Sequence, residues 1–84
     1  MPYISIKSWP KDDAVRAEAI RRVSEVFVEV WGCPPEALTV SSEIVQPEDW
    51  AETVVKAEIE PKMDKVMILK GQETEALKKL GSST

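Results

Sequence analysis

The sequence lacks histidine and contains a single cysteine, Cys33, among its 84 residues. Without histidine, the chain cannot form Ser-His or Cys-His nucleophile pairs, and the commonest zinc ligand is missing. One cysteine allows no disulfide within the chain, which is natural for a protein of a reducing compartment. We therefore expect no metal centre and no histidine-activated nucleophile.

The chain also has little that is typical of nucleic-acid or membrane proteins. Its formal net charge is -4 and no run of basic residues stands out, which argues against nucleic acid and acidic membrane surfaces as partners. No segment approaches the ~20 apolar residues of a membrane-spanning helix. The first residues show no charged region followed by an apolar core, so we expect no signal peptide. We predict a cytoplasmic protein.

What the chain does contain is an ordinary apolar fraction, 43%, in a length that suits one domain. A chain this short buries a modest share of its surface and often needs a partner to be firmly stable. We therefore expect a folded domain rather than a disordered chain.

The first residues predict a half-buried strand that begins at a proline. Ile4 and Ile6 alternate with more polar residues between positions 3 and 7, which is the period of a strand with one buried face. Pro2 fits the first position of a strand, where no ladder donor is needed. If Met1 is removed, the nitrogen of Pro2 is a secondary amine with a titratable proton; if Met1 stays, that nitrogen is a tertiary amide without basicity. Pro2 is therefore a candidate base whose chemistry depends on one cleavage.

A long amphipathic helix is predicted to follow. Asp12 or Asp13 can cap its start, Gly32 fits a left-handed cap at its end, and Pro34-Pro35 prevents its continuation. Apolar residues recur along it at spacings of three and four, namely Ile20, Val23, Phe27 and Val30, with Ala19, Val26 and Trp31 beside them. This pattern predicts about five helical turns with one apolar face.

The alternation in residues 38–45 predicts a second strand, with Leu38, Val40 and Ile44 on one face. Strand, long helix and strand make a β-α-β unit, whose strands are parallel and whose crossover is right-handed. A two-stranded sheet is marginal on its own, and two such units meeting edge to edge would form a larger one. We therefore predict an α/β fold and a homo-oligomer.

The last third of the chain gives weaker signals. Residues 51–57 fit a short helix or a strand, and Thr53-Val54-Val55 favours the strand. Pro61 fits the first position of another helix, which Gly71 ends. Residues 74–80 predict a last short helix, and residues 81–84 predict a loose tail.

In this order and spacing, several stretches resemble the 4-oxalocrotonate tautomerase family, most closely its slightly longer bacterial subgroup that includes dimers. The stretches are Met1-Pro2-Tyr3-Ile4-Ser5-Ile6-Lys7, the long helix, Gly32-Cys33-Pro34, Val40-Ser41-Ser42-Glu43, Pro47-Glu48-Asp49-Trp50, and Ala57-Glu58-Ile59 with the lysine-rich helix after it. They cover residues 1–71, which we interpret as a tautomerase-like domain. Residues 72–84 are then a C-terminal extension with a short helix and a loose tail.

The resemblance implies a β-α-β protomer and a cofactor-independent keto–enol isomerisation of a 2-hydroxydienoate or 2-oxo acid. It implies that Pro2 is the catalytic base and that the protein is a homo-oligomer, a dimer in preference to a hexamer. The best-known members bind substrate with two arginines beside an aromatic wall. Here Lys11 stands close to the position of the first arginine, Thr39 stands at the second, and Trp50 stands near the wall. Lys11 and Trp50 are therefore the candidate substrate-binding residues.

Each candidate also has a purely structural interpretation. Pro2 can simply start a strand, Lys11 can be a solvated charge in a turn, and Trp50 can belong to the core. Two other functions stay open. One is the hydration or dehalogenation of an unsaturated acid, which related folds perform, usually with an acidic partner and two arginines. The other is a non-catalytic binding or assembly module that keeps only the fold, which threonine at position 39 in place of an arginine favours slightly.

Overall fold

The computed structural model describes residues 1–82, which divide into a unit of residues 1–48 and a unit that begins at Asp49. The first unit contains, in chain order, β1 (Tyr3–Ser8), α1 (Asp13–Trp31), a 3₁₀ turn (Pro35–Ala37) and β2 (Thr39–Ile44). The second contains a π-helical segment (Ala51–Ile59), a 3₁₀ segment (Glu60–Lys65), β3 (Ile68–Leu69), β4 (Gln72–Glu73) and α2 (Glu75–Ser82), and a further 3₁₀ turn (Pro47–Asp49) spans the boundary.

The first unit is a β-α-β arrangement. β1 and β2 pair in parallel, in a register that places Tyr3 beside Thr39 and Ser8 beside Ile44. Both strands follow the alternation of the sequence, because their even-numbered positions are largely half-buried and their odd-numbered positions are largely exposed. The predicted α/β fold with parallel strands is confirmed.

Helix α1 begins and ends close to the predicted positions. Gly32 adopts a left-handed conformation, with φ 82°, and its N–H donates to the carbonyl of Val28, which satisfies one of the free carbonyls at the helix end. At the other end, Asp12 precedes the first helical residue, but its side chain makes no capping hydrogen bond. Asp13 instead places a negative charge in the first turn, where the helix dipole favours it.

The apolar face of α1 is wider than the part that packs within one copy of the chain. Ile20 and Phe27 are half-buried, whereas Val23, Val26 and Val30 are exposed. Among residues 1–81, the buried hydrophobic residues are Val45 and Val54, and each keeps a small part of its surface exposed. A helix that exposes valines beside its packed stripe has apolar surface left for a further partner.

The second unit starts with helical backbone where the sequence favoured a strand. Residues 51–59 form a π-helical segment, and the N–H of Glu60 donates to the carbonyl five residues earlier, that of Val55. Val54 keeps only 6% of its surface exposed. Burial of this β-branched side chain stabilises the helical segment just as it would have stabilised a strand. Strand propensity is a weak preference that tertiary packing overrides. The strand interpretation of Thr53-Val54-Val55 is therefore wrong.

The helix predicted from Pro61 to Gly71 is only partly correct. Pro61 does lie in the first turn of a helical segment, but that segment ends at Lys65. A two-residue turn follows further on, in which Lys70 and Gly71 both have positive φ, 52° and 80°, and β3 and β4 pair in antiparallel fashion around it. Two positive φ angles are what a tight hairpin of this kind requires, so Gly71 is a turn residue and not a helix stop.

Helix α2 confirms the predicted short C-terminal helix. The hydroxyl of Thr74 accepts from the N–H of Leu77, and the carbonyl of Thr74 accepts from the N–H of Lys78, as expected of an N-cap residue. Gly81 and Ser82 continue the helix, so the predicted loose tail is wrong for these two residues, and its last two residues lie outside the described part. The end of the tautomerase-like domain at residue 71 stays a prediction.

Candidate active site

The amino end of β1, where Pro2 lies, is held in place by the neighbouring strand β2. The backbone N–H of Thr39 donates to the carbonyl oxygen of Pro2 at 3.1 Å, which extends the parallel ladder by one step beyond the first residue of β1. Pro2 is half-buried, whereas Met1 is 100% exposed. The position of Pro2 is thus fixed by backbone pairing, and removal of Met1 would cost no packing.

Hydroxyl groups surround this end of the strands. The hydroxyl oxygens of Tyr3 and Ser41 lie 2.9 Å apart on the exposed face of the sheet. Thr39 is exposed beside them, directly across from Tyr3 in the register. This face carries hydroxyl groups near the amino ends of the two strands, and at position 39 it has an uncharged hydroxyl where the resemblance led us to expect an arginine.

Two positively charged residues, Lys11 and Arg16, lie close to the other end of β1. Lys11 follows this strand in the turn to α1 and lines a cavity of about 490 Å³ together with Trp9, Val15 and Arg16. Lys11 itself is exposed and forms no ion pair with any residue that the structure describes. It is therefore available to bind an anion.

Pro2 and Lys11 do not meet within one copy of the chain. Pro2 precedes the first residue of β1 and Lys11 follows the last by three residues. A strand of six residues rises about 20 Å at 3.2–3.4 Å per residue. The two candidates therefore lie at opposite ends of the strand, farther apart than a lysine side chain reaches.

Trp50 belongs to the second unit. It is half-buried and has helical backbone angles, and it directly precedes the π-helical segment. The proposed role of Trp50 as an aromatic wall stays a prediction.

Arg16 is a residue of interest that the sequence reasoning did not select. It lies on α1 four residues before Ile20, within the half-buried stripe, where a charged residue is unexpected. Its Nη2 donates to the hydroxyl of Ser42 on β2 at 3.0 Å, and its Nε is buried without a hydrogen-bond partner among the described residues. The signal in the sequence was the helical spacing from Arg16 to Ile20, Ser24 and Phe27, which places an arginine on the sheet-facing side.

The described residues offer no evident place for a metal and no membrane span. Within residues 1–82, no three His, Cys, Asp or Glu side chains cluster in a way that could hold a metal ion. Over the same residues, no helix combines the length and apolar character that crossing a bilayer requires.

Comparison with known proteins gives the family. No protein-family model matches the chain. The chain is 30% identical over 69 residues to Tautomerase PptA of Enterobacter sp. (strain 638), an alignment that spans 80% of this chain and 91% of the relative. It is 32% identical over 66 residues to Tautomerase PptA of Cronobacter sakazakii (strain ATCC BAA-894), spanning 76% of this chain and 87% of that relative. The chain belongs to the tautomerase family. The resemblance noted from the sequence is therefore confirmed.

Membership of the tautomerase family agrees with the architecture. The parallel pair of β1 and β2 and the long helix α1 between them are the β-α-β arrangement expected of a tautomerase fold. Two relatives named as tautomerases, aligned over most of their length, support a tautomerase activity in general, and hence an isomerase-type enzyme.

Proposed function

We propose that the protein is a cofactor-independent tautomerase that interconverts the enol and keto forms of a 2-hydroxydienoate or 2-oxo acid, with the nitrogen of Pro2 as general base. The observation that carries this proposal is the placement of Pro2. Its carbonyl is fixed by the N–H of Thr39, while Met1 on its other side is fully exposed. Removal of Met1 would leave a secondary amine at a defined point on the sheet.

The reaction needs one group that takes a proton and returns it. The amine of Pro2 accepts the proton of the enol hydroxyl, and the resulting ammonium group delivers a proton to a carbon of the conjugated chain. Electrons shift along the conjugated chain without net oxidation or reduction. Donors near the developing dienolate oxygen lower the barrier. In the proposal, Lys11 binds the carboxylate or the oxyanion, and Trp50 contributes an aromatic wall.

Such a site requires more than one copy of the chain. Pro2 and Lys11 lie about 20 Å apart along β1, so both can contact one small substrate only if they come from different copies. In an antiparallel arrangement of two β1 strands, the amino end of one lies beside the carboxyl end of the other. We therefore propose a homo-oligomer in which Pro2 of one copy faces Lys11 of the next, and the preference for a dimer over a hexamer rests on the family resemblance alone.

The exposed side of α1 supports the same assembly. We define the lateral face of α1 as its exposed apolar residues beside the packed stripe, namely Val15, Ala19, Val23, Val26 and Val30. These residues recur at spacings of three and four, so they form one continuous strip. Arg22, which forms an ion pair with Glu18 at 2.7 Å, and Glu29 lie along the border of the strip. The charge of Arg22 is thus met within one copy, and it is the continuous apolar strip that would favour a second copy of this chain.

The test of the proposal is to block the nitrogen of Pro2 without changing any side chain. Protein with its native start, shown by intact mass to lack Met1, is compared with protein carrying one extra glycine before Pro2. Turnover of phenylenolpyruvate and 2-hydroxymuconate is followed by ultraviolet absorbance. We expect turnover by the native form only, with equal helix content by circular dichroism.

The control for this test carries the extra glycine at the other end of the chain and should keep full activity. Equal activity with glycine before Pro2 would show that Pro2 is not the base. Processed protein that turns over neither compound would favour the non-catalytic binding module, and release of halide or addition of water would favour the dehalogenase or hydratase. Cytoplasmic location stays a prediction, which fractionation of the producing cells would check.

A further inference from the structure

We propose that Arg16 is a positioning residue: it holds the turn that carries Lys11 by linking the start of α1 to Ser42 of β2. The consequence for catalysis rests on the proposed function, because it takes Lys11 to bind the substrate. The link itself is a property of the folded chain and can be measured without turnover.

The turn that carries Lys11 has little packing of its own. It consists of residues 9–12, between the end of β1 and the start of α1, and all of them are exposed. The side chain of Asp12 makes no capping hydrogen bond with the first turn of the helix. A segment with exposed side chains and few contacts is ordered only as far as its ends are held. The position of Lys11 is therefore set by what fixes the two ends of this turn.

Both ends of the turn are attached to β2 or to the residue that follows it. At the first end, the N–H of Val45 donates to the carbonyl oxygen of Ser8 at 2.9 Å. At the second end, the backbone N–H of Arg16 donates to the carbonyl oxygen of Asp12 at 3.0 Å. Nη2 of the same arginine donates to the hydroxyl oxygen of Ser42, also at 3.0 Å. Arg16 thus connects the last residue of the turn to β2.

The burial of Arg16 is not explained by stability alone. Its Nε is buried without a hydrogen-bond partner among the described residues, and an unmet buried donor costs free energy. Its Nη1 lies 3.4 Å from a carboxylate oxygen of Asp13, whose side chain is 94% exposed, so water and salt screen this ion pair. An apolar side chain of similar size would fill the place without leaving a donor unmet. What the guanidinium adds is the hydrogen bond to Ser42, which joins the first turn of α1 to β2.

An ordered turn matters for Lys11 because binding depends on where its ammonium group lies. A displacement of about 1 Å in a functional group can cost up to ~10²-fold in rate. Lysine is a flexible side chain that loses rotamer freedom when it binds, and a mobile backbone beneath it would add to that loss. In the proposed shared site, the link lets Lys11 of one copy meet a substrate that lies at Pro2 of another.

The competing interpretation is that Arg16 only stabilises α1 as a whole. Its loss would then lower thermal stability, and its effect on kcat/KM would be the same whether or not Lys11 is present. A positioning residue acts through Lys11, so its loss should have no further effect once Lys11 has been removed. The two interpretations are distinguished by combining the two substitutions.

The first measurement is the backbone order of the turn, by ¹⁵N relaxation on the processed protein. Order parameters are ~0.85 in rigid backbone and below ~0.6 in flexible segments. We expect the amides of Lys11 and Asp12 to lose order in Arg16→Met and in Ser42→Ala, which remove the same hydrogen bond from its two sides. Ser42→Thr, which keeps the hydroxyl, and Arg21→Met, which removes a charge from an exposed position of α1, are the controls and should leave these amides ordered. Equal order in all variants would overturn the proposal.

The second measurement is kcat/KM for phenylenolpyruvate in the same variants. Arg16→Met and Ser42→Ala should each lower it by about tenfold, with helix content by circular dichroism unchanged. Arg16→Met combined with Lys11→Ala should stay within about twofold of Lys11→Ala alone. Where Arg16→Met does not fold, Ser42→Ala and its combination with Lys11→Ala give the same comparison.

Equal losses with and without Lys11 would overturn the positioning role and leave Arg16 a residue that only stabilises α1. The proposed function fails separately. A turn that loses order in Arg16→Met and Ser42→Ala, in a processed protein that turns over neither phenylenolpyruvate nor 2-hydroxymuconate, would contradict the proposed function while supporting the link.

Discussion

The backbone N–H of Thr39 donates to the carbonyl oxygen of Pro2 across 3.1 Å. This bond joins Pro2, which matches the expected site, to Thr39, which departs from it. Pro2 is the proline that the resemblance led us to expect as the base. Thr39 replaces the second of the two arginines that the resemblance led us to expect. The proposed base is therefore held by a backbone that the substitution leaves intact, while the positive charge beside it is lost.

The first prediction concerns the pH dependence of kcat/KM. A free chain-terminal amine has a pKa near ~8. In the proposed shared site, Lys11 of a partner copy would disfavour the ammonium form of Pro2 and lower that pKa. The active form is the neutral amine, so kcat/KM should rise with pH along one limb and level off near or below neutrality. A profile measured on phenylenolpyruvate between pH 4.5 and 9, in buffers of constant ionic strength, checks this. A limb centred well above ~8 would mean that Pro2 is not the neutral base.

The second prediction concerns Lys11→Ala. Lys11 is an exposed turn residue, so its loss should change the free energy of unfolding by less than ~0.5 kcal/mol. Loss of a charged hydrogen bond to the substrate should lower kcat/KM by the equivalent of ~1.5–3 kcal/mol. Urea unfolding and steady-state kinetics measure the two effects separately. Lys62→Ala, at an exposed position of the second unit, is the control, and kinetics of Lys11→Ala that match it would leave Lys11 a solvated charge.

Sequence reasoning succeeded where one pattern had one physical outcome. Alternation in β1 predicts a half-buried strand, and Gly32 is followed by Pro34-Pro35, which prevents the helix from continuing; the structure has both the strand and the helix end. It failed at Gly71, because a glycine with positive φ serves a helix end and a hairpin turn equally well. It also missed Arg16. The helical spacing places this charge on the packed side of α1, but the sequence does not show that the hydroxyl of Ser42 lies there and accepts a hydrogen bond from it.

The third prediction concerns assembly. Within residues 1–81, few hydrophobic residues are buried, while Val26 on the lateral face of α1 is 58% exposed. We expect sedimentation at micromolar concentration to show a homo-oligomer and no folded monomer of 9.4 kDa. Val26→Glu should shift the protein towards monomer and lower activity in parallel, because Pro2 and Lys11 would no longer share a site. Arg21→Glu, on the same helix but outside the lateral face, should leave the assembly intact.

A folded, active monomer would contradict both the assembly and the shared site. An oligomer unaffected by Val26→Glu would mean that the lateral face of α1 is not needed for assembly, and the other proposed contact, between β1 strands, would then be the surface to alter next. Association and activity are measured on the same samples. A loss of one without the other would show whether the proposed assembly or the proposed shared site is wrong.

The fourth prediction restores a charge beside Pro2 through Thr39→Arg. Thr39 is exposed and lies in register with Tyr3, one residue from Pro2, so the new guanidinium has room to extend over the amino ends of the strands. A positive charge there should lower the pKa of the Pro2 amine and shift the rising limb of kcat/KM to lower pH. It should also bind a second carboxylate, so kcat/KM for 2-hydroxymuconate should rise relative to that for phenylenolpyruvate, by up to the ~1.5–3 kcal/mol of a charged hydrogen bond. Thr39→Gln, which is uncharged, is the control and should shift neither. If the limb of Thr39→Arg stays where it was, the titrating group is not close to position 39, and Pro2 can no longer be that group.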